Sequence, residues 1–258
     1  MVLQLEGVAC CYGARTVLDN VNLAIPRGEL FCLLGPNGVG KTTLFRTMLR
    51  LLPLRRGVIR FGGENVAGWS DARFARAVAY VPQAHTPPFP FKVIDVVSIG
   101  RAAHLGPFAA PGASDLAVAR QALETLGIDH LAERPYTEIS GGERQLALIA
   151  RALAQEAEVL VMDEPTASLD FGHQIRVLDH IQELTRRSRM TVVMTSHDPN
   201  QALRWAQNVA TLLRDGTIVV GSPSEAITDR YLLKTYGVRT QTVAVPGSHG
   251  VIVPKQQV

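Results

Sequence analysis

Gly35-Pro36-Asn37-Gly38-Val39-Gly40-Lys41-Thr42 follows the apolar run Leu30–Leu34, and after it Leu44, Phe45, Met48, Leu51 and Leu52 recur at helical spacing. A buried strand, a glycine-rich turn and a helix in that order match the P-loop pattern of Gly, four residues, Gly, Lys, then Ser or Thr. The glycines let backbone N–H groups turn inward around a β-phosphate, where a Cβ would obstruct the approach. The helix starting near Lys41 adds its N-terminal partial charge. Lys41 is expected to reach the β and γ oxygens, and the Thr42 hydroxyl to ligate Mg²⁺. Chance gives on the order of one such match per hundred chains of this size, and the flanking strand and helix make an accident rarer still.

Further along, Val159-Leu160-Val161-Met162-Asp163-Glu164 is four apolar strand residues ending in two acids. Neighbouring acids at a strand end are by themselves an ordinary solvated turn. Beside a P-loop they acquire roles: Asp163 holds the Mg²⁺ shell, and Glu164 polarises a water attacking the γ-phosphate.

The remaining pattern supports an α/β core with parallel strands. Val2–Ala9 and Val17–Ile25 alternate as half-buried strands, Val58–Phe61 and Ala77–Val81 read as strands, and Thr191–Thr195 is a further buried strand. Helical spacing covers Thr43–Leu52, Leu116–Leu126, Gly142–Ala154 and Ile175–Thr185. Val209–Leu213 and Thr217–Val220 flank Asp215-Gly216 as a hairpin, and Ser222 opens a short helix. Pro82, Pro87, Pro88 and Pro90 form a stiff loop, after which the strand–helix alternation is interrupted as far as Ala154. That interruption reads as an inserted helical subdomain. The expected division is residues 1–83 for the nucleotide-binding core with its β subdomain, and 84–154 for the helical insertion. Residues 155–236 complete the core, and 237–258 form a tail with a hairpin.

Composition narrows the function classes. Of 258 residues, 47% are hydrophobic and 19% charged, so a packed core is within reach and disorder is not expected. Twenty-six Lys and Arg against 23 Asp and Glu leave +3. That excess is scattered, and no nucleic-acid partner is expected. No uncharged stretch reaches the roughly 20 apolar residues of a membrane span. The first residues lack the basic and apolar regions of a secretory signal, which reads as a cytosolic chain. Cys10, Cys11 and Cys32 have no disulfide or metal-ligand spacing and are expected as reduced thiols. His173 and His180, seven apart on one helix face, are read as solvated.

Three further motifs carry a resemblance. Ile139-Ser140-Gly141-Gly142-Glu143-Arg144-Gln145 opens an amphipathic helix before Asp163, Pro165-Thr166-Ala167-Ser168-Leu169-Asp170 follows Glu164, and His197 stands just after Thr191–Thr195. With the P-loop and Gln83, these resemble in order and spacing the ATP-binding subunit of an ABC transporter, over roughly Met1 to Val238. The resemblance implies a P-loop NTPase (RecA-like) core with an N-terminal antiparallel β subdomain and an inserted helical subdomain. It implies ATP and Mg²⁺ as cofactors. Residue by residue, Tyr12 matches the aromatic that stacks on adenine, and Gly35 through Thr43 match the phosphate loop. Gln83 matches the glutamine that touches Mg²⁺ and water and hinges the helical subdomain. Ser140, Gly141 and Gly142 match the signature that binds the γ-phosphate held by the opposite subunit, and Asp170 the loop aspartate between the two sites. His197 matches the switch histidine.

The signature departs from the usual Leu-Ser-Gly-Gly-Gln in having Ile139 and Glu143, and neither change reads as inactivation. A Ser hydroxyl and glycine N–H groups at a helix start form an anion site. One chain has one P-loop and one signature, so a head-to-tail dimer closing on two ATP is expected. Phe89–Val97 followed by Gly100-Arg101, together with His197–Ala202, resemble ATPases serving ferric-siderophore, haem and cobalamin uptake. This implies a peripheral subunit on the cytoplasmic face of the inner membrane. Its expected partners are a multi-span permease and, indirectly, a substrate-binding protein. A soluble ABC ATPase acting in cofactor assembly is the competing class.

Overall fold

An all-apolar strand such as Leu30–Leu34 is stable only between two other strands, because both its faces and both its edges must be covered. The computed structural model, which describes residues 1–83, 90–106, 109–246 and 249–255, provides those neighbours. In chain order the first elements are β1 (Leu3–Tyr12), β2 (Arg15–Ile25), β3 (Leu30–Leu34), α1 (Lys41–Met48), β4 (Arg56–Phe61) and β5 (Glu64–Asn65). Then come α2 (Asp71–Ala77), β6 (Val78–Val81), α3 (Val93–Ser98), α4 (Ala113–Thr125), α5 (Gly141–Ala154), β7 (Val159–Met162) and α6 (Phe171–Ser188). The chain ends with β8 (Thr191–Ser196), α7 (Pro199–Trp205), β9 (Asn208–Leu212), β10 (Ile218–Gly221), α8 (Pro223–Ala226), α9 (Asp229–Tyr236), β11 (Thr240–Val243) and β12 (Val251–Pro254). The proline loop expected at Pro87 and Pro88, the Phe89 end of the importer-like segment and the tail turn at Gly247-Ser248 lie outside the described residues.

Two compact units emerge. The first joins Met1–Gly68 to Leu184–Val258. In it β3 runs parallel to both β8 and β9, with Leu34 opposite Ser196 and Thr211. The expected hairpin is there as β10 returning antiparallel along β9. An antiparallel sheet in the order β2-β1-β4-β5 forms the N-terminal β portion. Alternation in β1 and β2 is irregular because bulges shift their register between Leu5 and Cys11. β11 and β12 pair antiparallel in the tail.

The helix expected over Thr43–Leu52 begins earlier, at Lys41, and stops at Met48. Its period continues to Leu52, but Arg50 takes a left-handed φ of 60°, and the N–H groups of Leu51 and Leu52 both turn back to the Arg46 carbonyl. A closing turn therefore ends the helix before its apolar pattern ends.

The second unit is Trp69–Glu183. β6 and β7 run parallel, Val78 opposite Val159 and Val81 opposite Met162. α3, α4 and α5 pack on one another beside them. Gly100 explains how closely: a Cβ there would stand 2.0 Å from the Arg151 carbonyl oxygen on α5. Next to it Arg101 is buried, its Nε donating to Asp115 at 3.0 Å and its Nη1 to the Ala154 carbonyl at 2.8 Å and Glu156 at 2.6 Å. One buried cation thus ties α4 to the end of α5, with its donors matched by acceptors as burial requires. Among the described residues no helix is long and apolar enough to cross a membrane.

Candidate functional site

In the first unit the phosphate loop is set by its glycines. Gly40 has φ 113°, and a Cβ on it would meet Val17 Cγ1 at 2.9 Å and Leu18 Cγ at 3.1 Å, so the loop lies directly on β2. Gly38, at φ 80°, has nothing within 4 Å of where a Cβ would stand, which leaves the concave side of the loop open. Lys41 is only 4% exposed, and its Nζ donates to the carbonyls of Gly35 at 2.7 Å and Pro36 at 3.2 Å. Leu44 N–H donates to the Gly40 carbonyl as the first intrahelical bond of α1. The N–H groups of the first turn of a helix point along its axis, away from its body, and a helix start of this kind suits an anion. Thr42 is exposed and Thr43 half-buried, the Thr43 carbonyl accepting from Thr47 Oγ1 at 2.9 Å. An open backbone cradle, a buried lysine at its rim and an exposed hydroxyl fit a nucleotide polyphosphate.

His197 belongs to the same unit. Gly35 N–H donates to the Ser196 carbonyl at 3.2 Å, which sets the start of the phosphate loop beside the residue preceding His197. The His197 side chain is exposed. Tyr12 ends β1 opposite Arg15 and is 63% exposed, whereas Val8–Cys11 before it are buried.

The second unit holds the acids. Asp163 N–H donates to the Val81 carbonyl at 3.0 Å, so Asp163 and Glu164 at the end of β7 lie beside the end of β6, two residues before Gln83. Asp163 is 7% exposed, Glu164 half-buried and Gln83 exposed. The side-chain oxygens of Gln83 and Asp163 are of the kind Mg²⁺ takes. Glu164 sits at φ 46°, a left-handed conformation that costs a non-glycine residue about 1–2 kcal/mol. Strain of this kind is characteristic of functional positions, and nothing in the order of residue types signals it.

The signature helix α5 is capped by Ser140, whose hydroxyl accepts from Glu143 N–H at 3.3 Å while Glu143 Oε2 accepts from Ser140 N–H at 2.7 Å. Glu143 therefore acts as the reciprocal arm of a capping box. The Ser140 N–H, together with the Ser140 hydroxyl, holds its carboxylate below the ordinary 4.5.

Gly142 is closely covered: a Cβ there would stand 2.1 Å from His173 Cδ2 and 2.7 Å from Cγ. The same ring is fixed from its other edge, Nδ1 lying 2.8 Å from both carboxylate oxygens of Asp170. The His173 N–H also donates to Asp170 Oδ1 at 2.9 Å, and that bond, with the ring contact, lowers the Asp170 carboxyl below its ordinary value. The reading of His173 as merely solvated is thus corrected: it is wedged between the signature glycine and the loop aspartate. Its signal was its position three residues after Asp170 at the start of a helix. Burial pushes the Cys32 thiol up to about 12 and the Cys10 thiol to about 11, which disfavours the thiolate. Among the described residues no cluster of three or more His, Cys, Asp or Glu could hold a metal.

Comparison with known proteins gives a consistent picture. The family model described as ABC transporter matches residues 18–167. A protein of Haemophilus influenzae described as an uncharacterized ABC transporter ATP-binding protein is 42% identical over 92% of this chain and 89% of its own length. The ferric enterobactin transport ATP-binding protein of Escherichia coli is 36% identical, covering 95% of this chain and 90% of that one. The iron(3+)-hydroxamate import ATP-binding protein of Bacillus subtilis is 34% identical, covering 95% and 91%. Among solved structures, a chain from a metal-chelate type ABC transporter in an inward-facing conformation superposes with a TM-score of 0.88 and 32% identity, covering 99% of this chain and 98% of that one.

Proposed function

The chain belongs to the ABC transporter family, as an ATP-binding, ATP-hydrolysing subunit, and we propose that it powers uptake of a metal chelate through a separate multi-span permease. The observation that carries the cargo class is the near full-length similarity to ferric-siderophore and hydroxamate import subunits, joined by the likeness to a metal-chelate type transporter. On this reading the subunit is peripheral, docks at the cytoplasmic face of the inner membrane, and serves a substrate-binding protein only indirectly.

The roles proposed are those the family resemblance implies for each residue. Tyr12 stacks on the adenine, and the backbone of Gly35–Gly40 with Lys41 and Thr43 holds the phosphates. Thr42, Gln83 and Asp163 supply the oxygens for Mg²⁺, which neutralises charge building on the β and γ oxygens. Glu164 accepts the proton of the attacking water, and His197 steadies the γ-phosphate. Ser140, Gly141 and Gly142 of one copy face the nucleotide held by the P-loop of the other, with Asp170 running between the two sites. ATP binding therefore favours the closed dimer, because the γ-phosphate has partners on both copies only there. The helical segment 84–154 transmits closure to the permease, with Gln83 as its hinge.

The direct test uses purified chain, calorimetry and a phosphate-release assay. Glu164→Gln is expected to keep ATP affinity within about threefold while turnover falls by about 100-fold or more, the usual worth of a general base. Lys41→Ala is expected to weaken ATP binding itself. Wild-type turnover in Glu164→Gln would overturn the base assignment, and unchanged ATP affinity in Lys41→Ala would overturn the phosphate-loop reading.

A further inference from the structure

The turn that carries His197 is gripped at two points by the C-terminal part of the chain. Tyr236, the last residue of α9, donates its hydroxyl proton to the His197 carbonyl at 3.0 Å. Three residues beyond His197, the Asn200 side chain closes a two-point bond with the backbone of β12: Ile252 N–H donates to Asn200 Oδ1 at 2.8 Å, and Asn200 Nδ2 donates to the Ile252 carbonyl at 3.2 Å. Ile252 is itself 7% exposed. The gripping elements are anchored in turn. Arg214 Nε donates to the Thr235 carbonyl at 3.0 Å, Thr240 Oγ1 to Asp229 at 3.1 Å, and Lys255 N–H to the Arg239 carbonyl at 2.9 Å.

Between the two grips the turn is stiff. Asp198 N–H donates to Ser196 Oγ at 3.0 Å, Asp198 caps α7 by accepting from Asn200 N–H at 2.8 Å, and Pro199 fixes its own φ at the first helical position. His197 is exposed, and the position from which its imidazole projects is set by this turn. A misplacement of about 1 Å at a reacting centre costs on the order of 100-fold in rate.

We propose that Tyr236 and Asn200 are positioning residues for ATP hydrolysis, through which the tail hairpin β11–β12 and the end of α9 hold the His197 turn in its working orientation. This rests on the reading of His197 as a γ-phosphate contact. The tail then acts on hydrolysis through the His197 turn, and a force on the hairpin is felt at His197.

Full-length Tyr236→Phe, Asn200→Ala and the pair test this by steady-state ATP hydrolysis and by hydrogen–deuterium exchange over residues 196–204. Each single change is expected to lower kcat about threefold to tenfold with KM for ATP within twofold, and the pair to lower it further. Exchange over 196–204 is expected to rise while the core strands β3 and β8 keep their protection through Val193. Wild-type kcat in the double variant, or unchanged exchange over 196–204, would overturn the proposal. An equal rise of exchange throughout the first unit would also overturn it, by showing general destabilisation. A wild-type chain that binds but never hydrolyses ATP would overturn the functional reading instead, and the exchange measurement still reads the clamp.

Discussion

Gly142 and His173 are in steric contact at the start of α5. The ring occupies the space a Cβ at 142 would need, and Asp170 prevents it from swinging away without losing its bonds. Gly142→Ala should therefore dislodge the ring, at a cost of about 1–3 kcal/mol typical of overpacking. In a His173→Ala background the same change should cost less than half as much. A denaturant series on the four proteins checks this, and equal costs in both backgrounds would show that the contact is not what constrains residue 142. Gly142 is singled out in the sequence by its resemblance to the signature motif. The steric reason for a glycine there was not legible, because the partner lies 31 positions away and only folding brings it there. Glu164 is similar: its acidity is written in the chain, its left-handed backbone is not.

At the scale of elements, α5 shows how a local cap and charge cooperate. Glu143 has its carboxyl lowered from 4.5 by the Ser140 N–H and hydroxyl. A depressed folded value means that this group adds stability above pH 4.5, and that the contribution is lost as pH falls through the folded value. Glu143→Gln keeps an acceptor for the box but removes the charge. Wild type should then exceed the variant in stability near pH 7, with the gap closing toward pH 3, as followed by urea unfolding across that range. A gap independent of pH would contradict the assignment.

The elements themselves were unevenly readable. β3, β7 and α5 stand out because burial on both faces or one clear apolar stripe leaves little ambiguity. α2 and α9 were missed: each has its start marked, Ser70 accepting from Arg73 N–H and Thr228 from Tyr231 N–H. Their apolar faces are too short to show a period, so only the cap betrays them.

For the whole molecule, the order of motifs along the chain proved more informative than any local pattern. The phosphate loop, Tyr12 and His197 fall in the first unit, and Gln83, Ser140–Gly142, Asp163, Glu164 and Asp170 in the second. Cargo was beyond the reach of the residues, because on this account the subunit never touches what is transported, and only the likeness to chelate importers points to it. The claim that matters most is therefore the membrane partner. The decisive measurement is affinity purification of the tagged full chain from detergent-solubilised native membranes, with partners identified by mass spectrometry. The account predicts a multi-span permease in stoichiometric amount, retained together with ATPase activity. Recovery of soluble partners alone, with no membrane protein above background, would contradict it and move the chain to the cytosolic, non-transport ATPases.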